Sequence, residues 1–205
     1  MDSLHRLEEL FAKFPGIGPR QAKRFVYYLL NKSPSYIREF TQLVEEVRKS
    51  TSECTQCHRI SFGSASSLCS TCSDKNRDGS LLMIVARDSD FETIEKSGAY
   101  RGLYFILGGT IPILDKEPDK RIRLQGLLEH VSRAISGNQP LKEIILSLNA
   151  TPEGEHTATI AKEAVGKILK DSPVKISLLG RGLSTGAELE YVDGETIKNA
   201  LLNRN

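Results

Sequence analysis

The 205-residue chain has no tryptophan, and outside one short stretch it has no cysteine. No apolar run reaches the length needed to cross a bilayer as a helix, so a soluble protein is expected. It begins without an apolar signal segment, which leads us to expect a cytoplasmic, reducing environment in which disulfides are rare. Low-complexity tracts and internal repeats are absent. So is any strong charge bias: 28 basic and 26 acidic residues give a net +2, which neither demands nor excludes a nucleic-acid partner. No Ser–His–Asp arrangement can be defended from the spacing of those residues. What remains is a chain long enough to bury a real core, as one large or two to three small domains.

The four cysteines stand as Cys54-x2-Cys57 and Cys69-x2-Cys72, with eleven residues between the pairs. A two-residue spacer lets one tight turn present two thiolates, and two such turns complete a tetrahedral site. The intervening stretch, His58 to Leu68, is rich in Ser and Gly and has too few apolar residues for a core, so metal binding would order it. The alternatives are two disulfides or four unrelated buried thiols; the expected compartment disfavours the first. Four thiolates close the coordination sphere, so a zinc ion here would be structural, one per chain. His58, adjoining Cys57, is a substitute ligand on paper but is expected to be exposed.

Charge is uneven along the chain. Residues 1–49 hold nine Lys/Arg and six Asp/Glu. Leu4, Leu7, Leu10, Phe11 and Phe14 recur at helical spacing, and Pro15 stops that helix. A second helix starts near Pro19, with Ala22, Phe25, Val26, Leu29 and Leu30 as its apolar side. A third is predicted over Tyr36–Lys49 with Ile37, Phe40, Val44 and Val47 inward. The link Pro15-Gly-Ile-Gly-Pro-Arg20 joins the first two helices, with Ile17 plugging between them. Gly16 and Gly18 permit a tight turn and leave backbone N–H groups uncovered at a helix N-terminus, where a phosphate can dock. Arg20, Lys23 and Arg24 follow in the first turns on neighbouring positions. This is the layout of a helix-hairpin-helix element, which grips DNA backbone without reading sequence. A plain helix–helix connector, or a subunit interface, would use the same pattern.

After a turn-rich boundary at Asn76–Gly79, strands and helices alternate. Strands are predicted at Leu81–Ala86, Gly102–Leu107, Glu143–Leu148 and Val174–Leu179. Helices are predicted at Phe91–Lys96, Ile122–Ser136, Gly154–Lys170 and Thr196–Leu202. Alternation implies crossover connections and a mostly parallel sheet, hence a multi-domain α/β protein. The loop Gly180-Arg-Gly-Leu-Ser-Thr-Gly186 follows the last strand. Such a loop can cradle phosphate, with Arg181 as a further phosphate contact, but it lacks the Gly-Lys-Ser/Thr ending of a P-loop.

This order of modules, with Phe14-Pro-Gly-Ile-Gly-Pro19, the four cysteines, Ile94-Glu-Lys-Ser-Gly-Ala-Tyr-Arg-Gly-Leu-Tyr104 and Leu107-Gly-Gly109, resembles the RecR family of bacterial recombination mediators. Glu153-Gly-Glu155 with Thr157-Ala158, and Gly182-Leu-Ser-Thr-Gly-Ala-Glu-Leu-Glu-Tyr-Val-Asp193, extend the resemblance nearly end to end. It implies a helix-hairpin-helix domain over residues 1–50, a four-cysteine zinc finger over 51–78 and a Toprim domain over 79–175. A C-terminal strand, Gly-rich loop and helix would fill 176–205. It also implies recombinational DNA repair with RecO- and RecF-like partners, loading of the recombinase RecA onto single-stranded DNA coated by single-strand-binding protein, and assembly into homo-oligomeric rings or clamps through the terminal regions.

Catalytic Toprim domains hold magnesium with a Glu after the first strand and an Asp-x-Asp pair after a later one. The matching positions here are Ala86, Asn149 and Thr151. RecR-like chains usually keep a Glu where this chain has Ala86. Magnesium is a hard cation that needs oxygen ligands, so the resemblance implies binding rather than catalysis. Glu153 and Glu155, with Asp88 and Asp90, are the carboxylates left to compensate, although Glu153, Glu155 and His156 equally suit a solvated helix N-terminus. The rival readings are a metal-dependent Toprim nuclease or primase-like enzyme, and a zinc-ribbon scaffold without DNA affinity.

Overall fold

The structure is a computed structural model that describes residues 2–62, 67–115, 117, 120–137, 141–170 and 172–204. The middle of the predicted Ser/Gly-rich stretch, residues 63–66, lies outside them. The chain divides into two compact units, Met1–Thr51 and Ser52–Asn205. No helix among the described residues is long and apolar enough to cross a membrane.

The first unit is three helices: α1 (Ser3–Ala12), α2 (Pro19–Leu30) and α3 (Pro34–Ser50). Proline at the first helical position opens both α2 and α3, where its missing N–H has no cost. The Ser33 hydroxyl caps α3 by accepting from Tyr36 N–H at 3.3 Å. α1 packs on α2 through Ala22, Val26 and a Phe11–Phe14–Phe25 cluster with centroid spacings of 5.6 and 5.7 Å. Among the described residues of this unit, only Ala22 and Val26 are fully buried. The predicted inward face of α3 is corrected in part: Ile37 is half-buried, but Phe40, Val44 and Val47 are exposed, as is Leu43 beside them. The helical period holds, but a period states that a face is apolar, not that this chain covers it.

The second unit opens with a two-stranded ribbon, β1 (Thr51–Glu53) with β2 (Ile60–Phe62), and a short helix α4 (Ser70–Ser73). Then come β3 (Asp78–Val85), α5 (Asp88–Ser97), β4 (Gly102–Ile106), α6 (Leu124–Ile135), β5 (Glu143–Ser147), α7 (Pro152–Ile168) and β6 (Lys175–Leu178). A 3₁₀ turn at Leu189–Tyr191 and helix α8 (Gly194–Leu202) follow. The four long strands form one sheet in the order β4-β3-β5-β6, every neighbour pair parallel, with Leu82 opposite Ile144 and Ile84 opposite Leu146.

Alternation along β3 splits its side chains between two cores. Leu82 and Ile84 face a large cluster with Leu127 and Val131 of α6 and Ala161 and Val165 of α7. Met83 and Val85 face Phe91 of α5 and Tyr104 of β4. Helices on both faces explain why β3 reads as a continuous apolar run. Each fully buried side chain of that size contributes about 1.5–3 kcal/mol, so this sheet is the stable body of the chain. Strand β3 starts at Asp78, inside the predicted Asn76–Gly79 boundary. Arg77 secures that junction: it forms a bidentate pair with Glu95 and donates to Gly102 O at 3.0 Å, while Tyr104 Oη donates to Glu95 at 2.8 Å.

Candidate metal centre and nucleic-acid surface

Two like loops bring the cysteines together. Cys54 follows β1; its N–H donates to Arg59 O at 2.8 Å and its carbonyl accepts from His58 N–H at 2.9 Å. That turn puts His58 in the left-handed region, φ 62°. In the second loop Cys69 caps α4, and its carbonyl accepts from Ser73 N–H at 3.0 Å. All four Sγ atoms lie within 4.8 Å of one another. Cys57 and Cys69 are 3.6 Å apart, close to the ~3.8 Å edge of a tetrahedron with ~2.3 Å metal–sulfur bonds. The four are free thiols. That spacing also far exceeds the ~2.05 Å of a disulfide, which sets the disulfide alternative aside.

Cys54, Cys57 and Cys69 are buried and Cys72 is half-buried. The Cys69 N–H donates to Cys54 Sγ at 3.3 Å, a contact that stabilises a thiolate. Within the cluster the Cys69 thiol is driven down by hydrogen bonds from Cys57 and Cys72, whose own thiols are driven up because they donate. One thiolate suppresses the rest unless a cation neutralises them, so the donor set fits a thiophilic metal ion. Among the described residues these cysteines are the one group of three or more metal-ligating side chains close enough to share an ion.

The metal module rests on the sheet through its backbone. Ile106 N–H donates to Cys57 O at 2.9 Å, and His130 Nδ1 lies 3.0 Å from Gln56 O. Ile60 N–H donates to Asp88 at 2.9 Å, and the Arg59 guanidinium lies 4.2 Å from the Phe91 ring centre. His58 is a correction to its expected exposure. It is half-buried, its ring against Phe105 at 5.1 Å and Nδ1 2.7 Å from Glu53, which Arg123 also pairs at 3.3 Å. These bonds hold the ring in a role other than ligand. His130 escapes sequence reading because it sits within an apolar helical stripe; burial pushes its pKa down.

Just past the C-terminal end of β3, Ala86 is fully buried. Thr151 is the cap of α7, its hydroxyl accepting from Gly154 N–H at 3.2 Å. Gly154 passes so close to the Asn149 carbonyl that a Cβ would sit 2.1 Å from its oxygen. Backbone cannot yield as a flexible side chain would. Gly154→Ala is therefore expected to cost about 3 kcal/mol and lower the melting temperature by roughly 6–12 °C, measurable by calorimetry. Of the spare carboxylates, Asp90 accepts from Arg87 N–H at 2.9 Å as a cap, and Asp88 is bound to Ile60. Glu155 pairs with Arg181 at 2.7 Å, and Arg181 also reaches Glu195 at 3.8 Å. Arg181, expected as a phosphate contact, is thus occupied by carboxylates; Asn203 Nδ2 donates to its carbonyl at 2.9 Å, tying α8 to the loop.

In the first unit the hairpin takes the expected form. Gly16 has φ 73°, which favours glycine, and Ile17 N–H donates to Phe14 O at 3.0 Å, closing the turn with Ile17 half-buried. Gly18 caps α2, its N–H donating to Gln21 Oε1 at 3.1 Å. No acidic residue occupies the first turn of α2. Arg20, Lys23 and Arg24 are exposed, and among the described residues none pairs with a carboxylate. The structure therefore collects Gly16, Gly18, Arg20, Lys23 and Arg24 around one helix N-terminus.

Residues 80–180 match the family model of the Toprim domain, and residues 182–205 that of the RecR C-terminal region. The recombination protein RecR of Legionella pneumophila strain Philadelphia 1 is 36% identical over 204 residues, covering 100% of this chain and 96% of the relative. The chain belongs to the RecR family. The RecR proteins of Chloroflexus aurantiacus (35% over 199 residues, 97% of this chain and 92% of the relative) and Lactobacillus acidophilus (30% over 198 residues, 97% and 94%) are similar to it over the same extent. Its place is recombinational DNA repair, in the role of a mediator. Within the RecR frame, the parallel sheet, apart from Asp78 and Gly79, lies in the Toprim-matched residues 80–180.

Proposed function

We propose that this RecR-family chain works by binding alone. It grips DNA backbone with the α1–α2 hairpin, through Gly16, Gly18, Arg20, Lys23 and Arg24, and helps RecO- and RecF-like proteins load a recombinase onto single-stranded DNA in the cytoplasm. The observation that carries this reading is the helix N-terminus of α2, lined by glycine backbone and three cations without carboxylate partners among the described residues. The Cys54–Cys57–Cys69–Cys72 cluster holds one zinc ion; tetrahedral thiolate suits zinc, and the closed shell gives it a structural part. Homo-oligomers in ring or clamp form would cover the exposed apolar stripe of α3 and multiply weak phosphate contacts by avidity.

The sheet domain supports binding over chemistry. A buried alanine, an amide and a capping hydroxyl cannot offset the dehydration of magnesium, and Glu155 is neutralised by Arg181. Pure protein incubated with supercoiled and gapped DNA in magnesium or manganese should leave every strand intact. Cleavage that survives purification and disappears in Glu153→Gln would restore the enzyme reading.

A further inference from the structure

Helix α2 buries Ala22 and Val26. At about 100° per residue, Arg20, Arg24, Tyr27 and Tyr28 fall on the opposite, solvent-facing side, with Lys23 at its margin. Tyr27 and Tyr28 are 47% and 51% exposed, large rings in water beside the cations of the hairpin. Each has an ammonium near it: Lys23 Nζ lies 5.9 Å from the Tyr27 ring centre and Lys32 Nζ 4.3 Å from that of Tyr28. Tyr36, at the start of α3, stands edge-on behind Tyr28 with centroids 6.5 Å apart, and steadies its ring.

Two occupants suit exposed tyrosine: protein or unstacked bases. A second copy of this face would set Arg20, Lys23, Arg24 and Lys32 against the same cations, and like charges across an interface cost affinity. Lysine is also depleted from protein interfaces. Rings interleaved with cations instead match single-stranded DNA, whose bases stack on aromatic faces while its phosphates take the positive charge. Duplex DNA keeps its bases stacked and offers the rings nothing.

We propose that Tyr27 and Tyr28 form a base-stacking platform for single-stranded DNA, continuous with the phosphate grip at the N-terminus of α2. Lys23 and Lys32 yield the ring faces to bases and carry their charge to neighbouring phosphates. This rests on the hairpin reading, and extends it by giving the same helix a preference for single strands. No base identity is read, because every base has a face to stack.

The test uses the full-length protein, an oligo(dT) strand, an abasic strand with the same number of phosphates, and a duplex. The chain has no tryptophan and six tyrosines, so the part of the tyrosine quenching that is lost in Tyr27→Ala/Tyr28→Ala reports stacking on this pair. Oligo(dT) should quench tyrosine emission and the abasic strand should not. Tyr27→Ala/Tyr28→Ala should weaken oligo(dT) binding by at least about fivefold. Abasic and duplex affinities and the salt slope should stay as they were. Tyr27→Phe/Tyr28→Phe, which keeps the rings and the fold, should restore binding. If the alanine pair leaves oligo(dT) affinity unchanged while Arg20→Ala/Arg24→Ala lowers it, the platform is wrong and the phosphate grip stands. If neither pair changes any affinity, both fail. A fall in oligomer size for the alanine pair, seen by sedimentation, would assign the face to a second copy and overturn the proposal.

Discussion

Replacing Cys57 with alanine is expected to unfold the two cysteine loops, Cys54–Arg59 and Cys69–Ser73, while the four-stranded sheet stays folded. The buried cluster of that module consists of Cys54, Cys57 and Cys69 themselves, with Leu68 and Cys72 packed beside them. That is far too little apolar surface to offset the ordering of its loops at about 1–2 kcal/mol per residue. A bound structural zinc supplies about 10–16 kcal/mol in comparable small modules, so losing a ligand removes nearly all that holds the fold there. The sheet keeps its own cores on both faces and does not depend on the metal. Hydrogen exchange should show fast exchange at His58, Ser73 and Cys54 amides. It should also spread to Ile106, whose N–H is bonded to Cys57 O, with protection of Ile84 and Leu146 retained. Metal analysis should fall from one zinc per chain to none. Unchanged metal content with unchanged protection would refute the structural site.

The double variant Arg20→Ala/Arg24→Ala should lower DNA affinity by at least about 100-fold at low salt, irrespective of sequence. A charge-assisted contact contributes about 1.5–3 kcal/mol, and tenfold corresponds to about 1.4 kcal/mol. The log–log salt slope should lose about 1.4–1.8, from two contacts at 0.7–0.9 each. Both side chains are exposed and without ion-pair partners among the described residues, so the fold should be untouched. Equal affinity and slope in the variant would remove the hairpin as the contact surface.

Much of this is legible in the amino-acid sequence, for physical reasons that differ by element. The metal centre is encoded locally: a Cys-x2-Cys spacing fixes one turn, and the two turns need only meet. The strands of the sheet stand out because burial on both faces leaves unbroken apolar runs such as Leu81 to Val85. The ribbon of Thr51–Glu53 with Ile60–Phe62 leaves no such mark; at three residues a strand has too few positions to show a period. Strand order β4-β3-β5-β6 is a choice of crossover that no single segment records. The exposed stripe on α3 shows the limit of periodicity, which names an apolar face without naming its partner. His58 and Arg181 show the limit of composition. Whether a basic or ligating side chain is free depends on Glu53 five residues away and on Glu155 twenty-six residues away. Only the fold brings the second pair together.

The most direct test of the account is sedimentation of the pure protein with gapped DNA in magnesium, at low and at high salt, followed by denaturing electrophoresis of the recovered strands. An oligomer that carries the DNA at low salt, releases it at high salt and returns every strand at full length is the predicted result. DNA that sediments free at low salt, or strands recovered shortened, would contradict a mediator that acts through backbone binding without chemistry.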